Sequence, residues 1–265
     1  MIGYRNDNVT GAAWTPIGPI NDVIVTALLL EQLVGDGREE LVMALAANPP
    51  LTTVPVIRVL RYSNSTTLID EFVDDIRDQP AVTGLASALN NGDGTLDLVR
   101  TSNLRHNITI FNTPAGAPIW RYADSISFPT PSDPSSVLSC DMNDDGRGDL
   151  VVLCGSSADH GTLNIYFHSA LTISNANDNL VLNSFEASLA ATGNFDGDRN
   201  DNGYPLDEIV LYNRSAHKAY FYRTSTAALG ELDAPRDAVA LTVADLNSDG
   251  MDELVWTNAT STVIW

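Results

Sequence analysis

The chain has 265 residues, of which 34 are acidic and 14 are basic, and its formal net charge is −20. Nucleic acid and anionic membranes are poor partners for such a chain, because both require clustered lysine and arginine. The hydrophobic fraction of 44% is sufficient for a folded core, whereas the longest apolar run, residues 23–30, is too short to span a bilayer.

Strand-like runs follow one another along the chain in five similar units. In units one to five, the first runs are VIVTALLL, VTGLASA, SSVLSC, ASLAAT and AVALTVA. After an acidic loop come the second runs, LVMAL, LVRTS, LVVLC, IVLYN and LVWTN. The third runs are VIRVLRY, ITIFN, LNIYFH, AYFYR and TVIW. A weaker fourth run closes units one to four, as LIDEFV, PIWRYA, NLVLNSF and ALGEL. Short β-branched or aromatic runs bounded by turn residues, four in about 50 residues, predict the blades of a β-propeller.

The acidic loops repeat more closely than the strands do. Residues 141–150 read DMNDDGRGDL and residues 245–254 read DLNSDGMDEL, so both fit Asp-x-Asn-x-Asp-Gly-x-x-Asp/Glu-Leu. Weaker copies lie at residues 32–41, 89–98 and 194–209, the last with about six inserted residues. The ninth positions are Glu40, Asp97, Asp149, Glu208 and Glu253. Their mean spacing of about 53 residues lets five units fill the chain, which is therefore interpreted as a single domain, residues 1–265.

The ends of the chain suggest how such a propeller closes. Unit five stops after its third run, at Trp265, and residues 12–17 can supply the missing fourth strand. Pairing of the N- and C-terminal strands would leave no open sheet edge. The sequence thus predicts an all-β, five-bladed propeller of four-stranded antiparallel blades, and a monomer. The alternative is a piece of a longer propeller.

The loop spacing predicts metal binding. Oxygens at alternate positions of a tight loop converge on one point, and the glycine permits the turn through a positive φ. A backbone carbonyl at position seven and the acid at position nine complete a set of hard oxygens that suits Ca²⁺. The ligands predicted in unit three are Asp141, Asn143, Asp145, the carbonyl of Arg147, and Asp149. Those in unit five are Asp245, Asn247, Asp249, the carbonyl of Met251, and Glu253. Those in unit four are Asn194, Asp196, Asp198, and either Glu208 or Asp207.

Two to three Ca²⁺ ions are therefore expected. Gln32, Val34 and Leu89 occupy ligand positions in units one and two, whose loops can be metal-free turns. A solvated Asp-Gly turn is the alternative for every loop. The segments 31–40, 89–97, 141–149, 194–208 and 245–253 hold 19 of the 34 acids, so the negative charge is concentrated where cations would bind.

The repeat resembles the FG-GAP or VCBS type of integrin-α β-propeller, whose Ca²⁺ loops join the first two strands of a blade. The resemblance covers all five units and is strongest in units three and five. The Phe-Gly and Gly-Ala-Pro elements of the family are not clear here, and its usual number of blades is seven. The resemblance implies a non-catalytic, adhesion-type recognition module that binds protein or glycan outside the cell or at its surface. The start of the chain has no apolar signal-peptide core, so a cytosolic location stays open.

Two other functions stay open. A carbohydrate-active enzyme, a lyase or hydrolase, would place convergent acids or basic groups at one mouth of the axis, and no such set stands out. A structural or designed propeller would bind nothing beyond metal. A lectin would expose aromatic rings, for which the candidates are Trp14, Trp120, Tyr122, Tyr204 and Trp265, although packing between blades uses the same residues. The RGD at residues 147–149 is not expected to serve adhesion, because Asp149 is needed within its own loop.

Overall fold

The computed structural model describes residues 2–6, 14–19, 23–31, 33, 40–47, 57–62, 68–73, 82–90, 93–113, 125–143, 145, 147–157, 160–168, 173, 178–183, 187–199, 207–222 and 230–264. In these residues all regular structure is β, and the strands pair in antiparallel sheets. The all-β prediction is therefore confirmed. The sheets also follow the order of the repeats, because each of the five units forms one sheet.

The strands are as follows. A two-stranded sheet at the N-terminus contains β1 (Ile2–Asn6) and β2 (Trp14–Pro19). Sheet one contains β3 (Val23–Glu31), β4 (Glu40–Ala47), β5 (Ile57–Tyr62) and β6 (Leu68–Val73). Sheet two contains β7 (Val82–Ala88), β8 (Asp97–Ser102), β9 (Asn107–Phe111) and β10 (Ser125–Pro129). Sheet three contains β11 (Pro134–Cys140), β12 (Asp149–Ser157), β13 (His160–Tyr166) and β14 (Asp178–Asn183). Sheet four contains β15 (Ala187–Gly193), β16 (Glu208–Asn213), β17 (Lys218–Tyr222) and β18 (Gly230–Asp233). Sheet five contains β19 (Ala240–Ala244), β20 (Glu253–Thr257) and β21 (Thr262–Ile264).

One fourth strand lies elsewhere than predicted. In unit two it was placed at PIWRYA, residues 118–123, which lie outside the described residues. The strand that pairs with β9 is β10, with Ser125 opposite Phe111 and Pro129 opposite Asn107. Its sequence, SISFP, alternates polar and apolar residues, as is typical of a half-buried edge strand. The serines weaken this signal, so the sequence favours the more apolar run at residues 118–123 as the fourth strand.

The predicted pairing of the two chain ends is not confirmed in the described residues. Most of the proposed segment 12–17 falls in β2, which pairs with β1 from Trp14 opposite Asn6 to Pro19 opposite Ile2. Sheet five has the order β19-β20-β21 in the part of the chain that the structure describes. The N-terminal segment thus finds a backbone partner next to it in sequence.

Neighbouring sheets pack through their second and third strands, and every residue of β8 and β16 is buried. In β8, Leu98 packs in a cluster with Val42 and Val59 of sheet one, whereas the next residue, Val99, packs with Val152 of sheet three. The same alternation recurs in sheets three and four. Burial on both faces explains why the second runs are continuously apolar rather than alternating. Three such clusters join sheets one to four, and a fourth, which contains Tyr212 and Trp256, joins sheets four and five.

The first strands of successive sheets lie against one another in chain order, from β3 through β7, β11 and β15 to β19. These contacts are close where small residues occur. A Cβ added to Gly84 of β7 would lie 2.9 Å from the backbone N of Val137 in β11. The small side chains of the first runs therefore permit the backbones of neighbouring sheets to approach. The last residues of these strands also lie near one another, since Ser87 Oγ donates to Glu31 Oε2 and Thr192 Oγ1 donates to Ser139 O. The described residues of the acidic loops therefore follow the first strands on one side of the row of sheets.

Candidate metal loops

The acidic loops are the hairpin connections between first and second strands. They are called loops one to five here and span residues 32–40, 89–97, 141–149, 194–208 and 245–253. In every sheet the acid at position nine is the first residue of the second strand, and it pairs with the last residue of the first strand. These pairs are Glu31 with Glu40, Ala88 with Asp97, Cys140 with Asp149, Gly193 with Glu208, and Ala244 with Glu253. One backbone frame therefore underlies all five loops.

The position-nine acid ties each loop together through the backbone. A carboxylate oxygen accepts a hydrogen bond from the N–H at position two of the same loop in all five units. The bonds are Leu33 N to Glu40 Oε2 at 2.8 Å, Asn90 N to Asp97 Oδ2 at 3.0 Å, Met142 N to Asp149 Oδ2 at 3.0 Å, Phe195 N to Glu208 Oε2 at 3.0 Å, and Leu246 N to Glu253 Oε2 at 2.7 Å. The loop spacing predicts only a metal role for this acid, whereas the structure gives it a structural role as well. The signal for it was present, because units one and two keep the acid although they lack other ligand positions.

In loops two and three the second carboxylate oxygen is also used. Thr113 N donates to Asp97 Oδ1 at 2.6 Å, and His168 N donates to Asp149 Oδ1 at 2.6 Å. Both donors follow the third strand of their sheet, so each acid connects a loop to two strands. Asp97 and Asp149 are fully buried. The RGD tripeptide therefore presents no exposed carboxylate.

Burial raises the pKa of Asp149 to about 6, even though the two backbone N–H groups act in the opposite direction. The charges of Asp145 and Asp141 raise the pKa further. A bound cation would reverse this electrostatic balance, because it favours the ionised form of every carboxylate around it.

Loops three and five wind around their own side-chain oxygens. In loop three, Asp145 N donates to Asp141 Oδ1 and to Asn143 Oδ1, both at 3.1 Å. In loop five, Asp249 N donates to Asn247 Oδ1 at 2.8 Å, and Gly250 N donates to Asp245 Oδ2 at 3.0 Å. Gly250 has a φ of +88°, as the turn argument requires. The oxygens at positions one, three and five are thus held within one turn of backbone, and those of loop five are exposed to solvent.

Loop four brings three acids together. One carboxylate oxygen from each of Asp196, Asp198 and Glu208 lies within 4.8 Å of the others. Within the described residues, this is the one group of three or more metal-ligating acidic, cysteine or histidine side chains at such distances. Asn194 supports the turn, since its Oδ1 accepts from Gly197 N at 2.7 Å. The set consists of oxygens alone and so fits a hard cation such as Ca²⁺.

The sequence left Glu208 and Asp207 as alternatives in loop four, and the structure separates them. Glu208 joins the three-acid group, whereas Asp207 Oδ2 accepts a hydrogen bond from Asp141 N of loop three at 3.1 Å. The inserted residues 200–206 lie outside the described residues. In loop two, Asp93 Oδ1 accepts from Thr95 N at 2.8 Å, a local turn within the same loop. Residues 34–39 of loop one lie outside the described residues.

The chain also has two cysteines, and its sequence offers five aromatic residues for a sugar surface. Cys140 and Cys154 are both buried free thiols. The five aromatic residues considered for a sugar surface fall outside the side chains that the structure describes. Within the described residues, Tyr212 and Trp256 pack edge to face with their ring centroids 5.2 Å apart, and they join sheets four and five.

Residues 91–152 match the model of the FG-GAP-like repeat family. This stretch runs from loop two to the first residues of β12, so it contains all of loop three. The resemblance expected from the loops is therefore confirmed over that part of the chain. A comparison with curated proteins gave no match.

Several solved structures are similar to this chain. The structure of BBS1N in complex with ARL6DN has a TM-score of 0.52 and 12% identity, over 91% of this chain and 79% of that one. The β-propeller domain of Cps50 (Swd1) from Myceliophteria thermophila has a TM-score of 0.52 and 9% identity, over 85% of this chain and 66% of that one. Polycomb Repressive Complex 2 of Chaetomium thermophilum, bound to GSK126, has a TM-score of 0.52 and 10% identity, over 94% of this chain and 52% of that one.

At these identities the similarity shows the fold alone, which is that of a β-propeller. The chain spans about half the length of the Chaetomium chain that it matches and about two thirds of the Swd1 domain. In the part of the chain that the structure describes, no helix is long and apolar enough to cross a membrane.

Proposed function

We propose that this β-propeller with an FG-GAP-like repeat is a non-catalytic recognition module that carries Ca²⁺ in loops three, four and five. The observation on which this rests is the common loop frame. All five loops share the position-nine bond, yet only loops three to five place carboxylate or amide oxygens at positions one, three and five. In loop four, three carboxylates already lie within reach of one ion. All five loops have the position-nine hydrogen bond, but only loops three to five also carry the side-chain oxygens that a cation needs. This difference supports metal binding in loops three to five.

The bound ion would stabilise the loop and hold it in a fixed conformation for a partner. Neighbouring carboxylates repel one another, and a divalent cation removes that repulsion and rigidifies the loop. Loops of this kind in extracellular modules bind Ca²⁺ with dissociation constants of about 10⁻⁴ to 10⁻³ M. Such affinities require millimolar Ca²⁺, so the proposal includes a location outside the cell or at its surface.

The partner is proposed to be a protein or a glycan that contacts the loop side of the propeller. Two similar structures give support, since BBS1N was solved in complex with ARL6DN, and the Chaetomium structure is of Polycomb Repressive Complex 2. The propeller is proposed to consist of five blades in a closed ring.

Calorimetric Ca²⁺ titration and thermal melting with Ca²⁺ or EDTA test the metal part. We expect Ca²⁺ to raise the melting temperature and Asp198→Asn to remove one binding site. Asp93→Asn is the matched control, because Asp93 holds the same position five in loop two, where Leu89 replaces the first ligand. An unchanged melting temperature together with no heat of binding would exclude structural Ca²⁺.

A glycan array probed with the protein in Ca²⁺ and in EDTA tests the recognition part. We expect glycan binding that is present in Ca²⁺ and lost in EDTA if the partner is a glycan. Absence of binding in both conditions would contradict the glycan version and leave a protein as the partner class. Cross-linking in Ca²⁺ would then identify that protein.

A further inference from the structure

Two acids at position eight bond the loop of the preceding sheet rather than their own. Asp252, in loop five, accepts a hydrogen bond from Asn194 N at 2.9 Å on Oδ2, and its own N donates to Asn194 O at 2.7 Å. Asp207, in loop four, accepts from Asp141 N at 3.1 Å. In both cases the partner is position one of the preceding loop. Position one carries the first predicted metal ligand.

The packing around these bonds supports the same placement. A Cβ added to Gly193 would lie 2.7 Å from Asp252 Oδ2 and 2.6 Å from Val243 Cγ1, so the residue before Asn194 must be small. In the equivalent place before Asp141, Cys140 is buried, and burial together with the Asp207 charge raises the pKa of its thiol. Asp207 and Asp252 therefore each lie next to the end of the first strand of the preceding sheet.

Among loops three to five, the acid at position eight occurs where position one of the preceding loop is Asp or Asn. Position one of loop three is Asp141, and position eight of the next loop, loop four, is Asp207. Position one of loop four is Asn194, and position eight of loop five is Asp252. Position one of loop two is Leu89, whose side chain cannot bind metal, and position eight of loop three is Gly148. Within loops three to five, the acid at position eight is therefore found only next to a loop whose position one carries a side-chain oxygen, whereas loop two, which follows Gln32 of loop one, has Leu96 at position eight.

We propose that Asp207 and Asp252 are positioning residues for the metal loops of the preceding sheets. Each fixes the backbone of position one from the neighbouring sheet, so that cation binding in a loop and docking of the next sheet stabilise each other. The metal half of this inference rests on the proposed function, whereas the sheet-docking half does not. Groups that orient metal ligands from outside the coordination shell typically contribute about 10–100-fold to metal affinity.

The test compares Asp252→Ala with Glu231→Ala, which removes an exposed acid of sheet four that pairs with Lys218. Calorimetric Ca²⁺ titration measures affinity, and thermal melting in EDTA measures metal-free stability. We expect Asp252→Ala to weaken one Ca²⁺ site about 10-fold and to lower the melting temperature in EDTA more than Glu231→Ala does. Asp252→Asn keeps an acceptor oxygen and should restore part of both.

A second variant shows which loop is affected. In the Asp198→Asn background, where loop four no longer binds, Asp252→Ala should leave the remaining Ca²⁺ affinity unchanged, whereas Asp207→Ala should still reduce it through loop three. The positioning role would be overturned if Asp252→Ala still weakened Ca²⁺ binding in the Asp198→Asn background. It would also be overturned if Asp252→Ala and Glu231→Ala, each in the wild-type background, bound Ca²⁺ with equal affinity. If the wild-type protein binds no Ca²⁺, the proposed function fails. In that case the sheet-docking role is tested by thermal melting in EDTA alone, and equal melting temperatures for Asp252→Ala and Glu231→Ala would reject it.

Discussion

At the scale of single residues, position within the loop decides what an acid does. In loops three to five, positions one, three and five carry side-chain oxygens. At position eight, Asp207 and Asp252 bond the preceding loop, whereas the acid at position nine bonds its own loop to the second strand. Asp252 and Glu253 are adjacent in sequence, yet they bond different loops. The high acid content is therefore partly structural and does not all serve cation binding.

Asp97 allows the structural role of the position-nine acid to be tested without a contribution from metal, because loop two lacks the first metal ligand. It is buried, and both of its carboxylate oxygens accept backbone N–H groups. Asp97→Asn places an amide NH₂ against one of these donors, and we expect a loss of about 1–3 kcal/mol in the free energy of unfolding. Asp93→Asn, in the same loop, keeps its acceptor for Thr95 and should change stability little. Urea unfolding in EDTA measures both, and equal effects would contradict the structural role.

The two cysteines give a prediction on thiol chemistry. Burial raises the pKa of Cys154 to about 11 and raises that of Cys140 as well. Because the thiolate is the reactive form, we expect neither thiol to react with a disulfide reagent at pH 8 in the native protein. Unfolding in denaturant without reductant should release two free thiols. Release of none would show that Cys140 and Cys154 form a bridge.

At the scale of elements, the sequence was informative where strands are buried on both faces. The second and third runs predicted β8, β9, β12 and β16 closely, because continuous β-branched and aromatic residues have few alternatives. β10 was misplaced, since its serines weaken the signal of a half-buried strand. The bond from position eight was not predicted. It depends on which sheet lies next to which, and spacing within one repeat carries no information on that.

Gly193 lies where sheets four and five approach each other closely. A methyl group there would overlap Val243 Cγ1 and Asp252 Oδ2, so we expect Gly193→Ala to lower the free energy of unfolding by about 1–3 kcal/mol. Gly230→Ala is the control, since its nearest neighbour would be Phe221 Cβ at 4.0 Å, an ordinary contact. Chemical denaturation compares the two. Equal stability would mean that sheet five can move away from sheet four at little cost.

At the scale of the whole molecule, the two ends of the array expose faces that the other sheets bury. On β3, Leu28 and Leu30 are 52% and 59% exposed, and strand alternation turns them away from sheet two. On sheet five, Thr242, Val255 and Ile264 lie in one row across the three strands, and Ile264 is 58% exposed. Ring closure would bring these faces together. Sequence repeats could predict the number of units, but closure depends on small rotations between sheets, which no single unit encodes.

Leu30→Glu tests closure directly. If sheet one packs against sheet five in solution, the substitution buries an unpaired charge, and we expect a loss of about 2 kcal/mol or more in the free energy of unfolding. Leu104→Glu is the matched control, because Leu104 is 64% exposed in the turn between β8 and β9, away from either end of the array. Substitutions at exposed positions usually change stability by no more than about 0.5 kcal/mol. Equal, small effects of the two variants in urea unfolding would show that the face of β3 stays open, so that a ring of five blades is excluded.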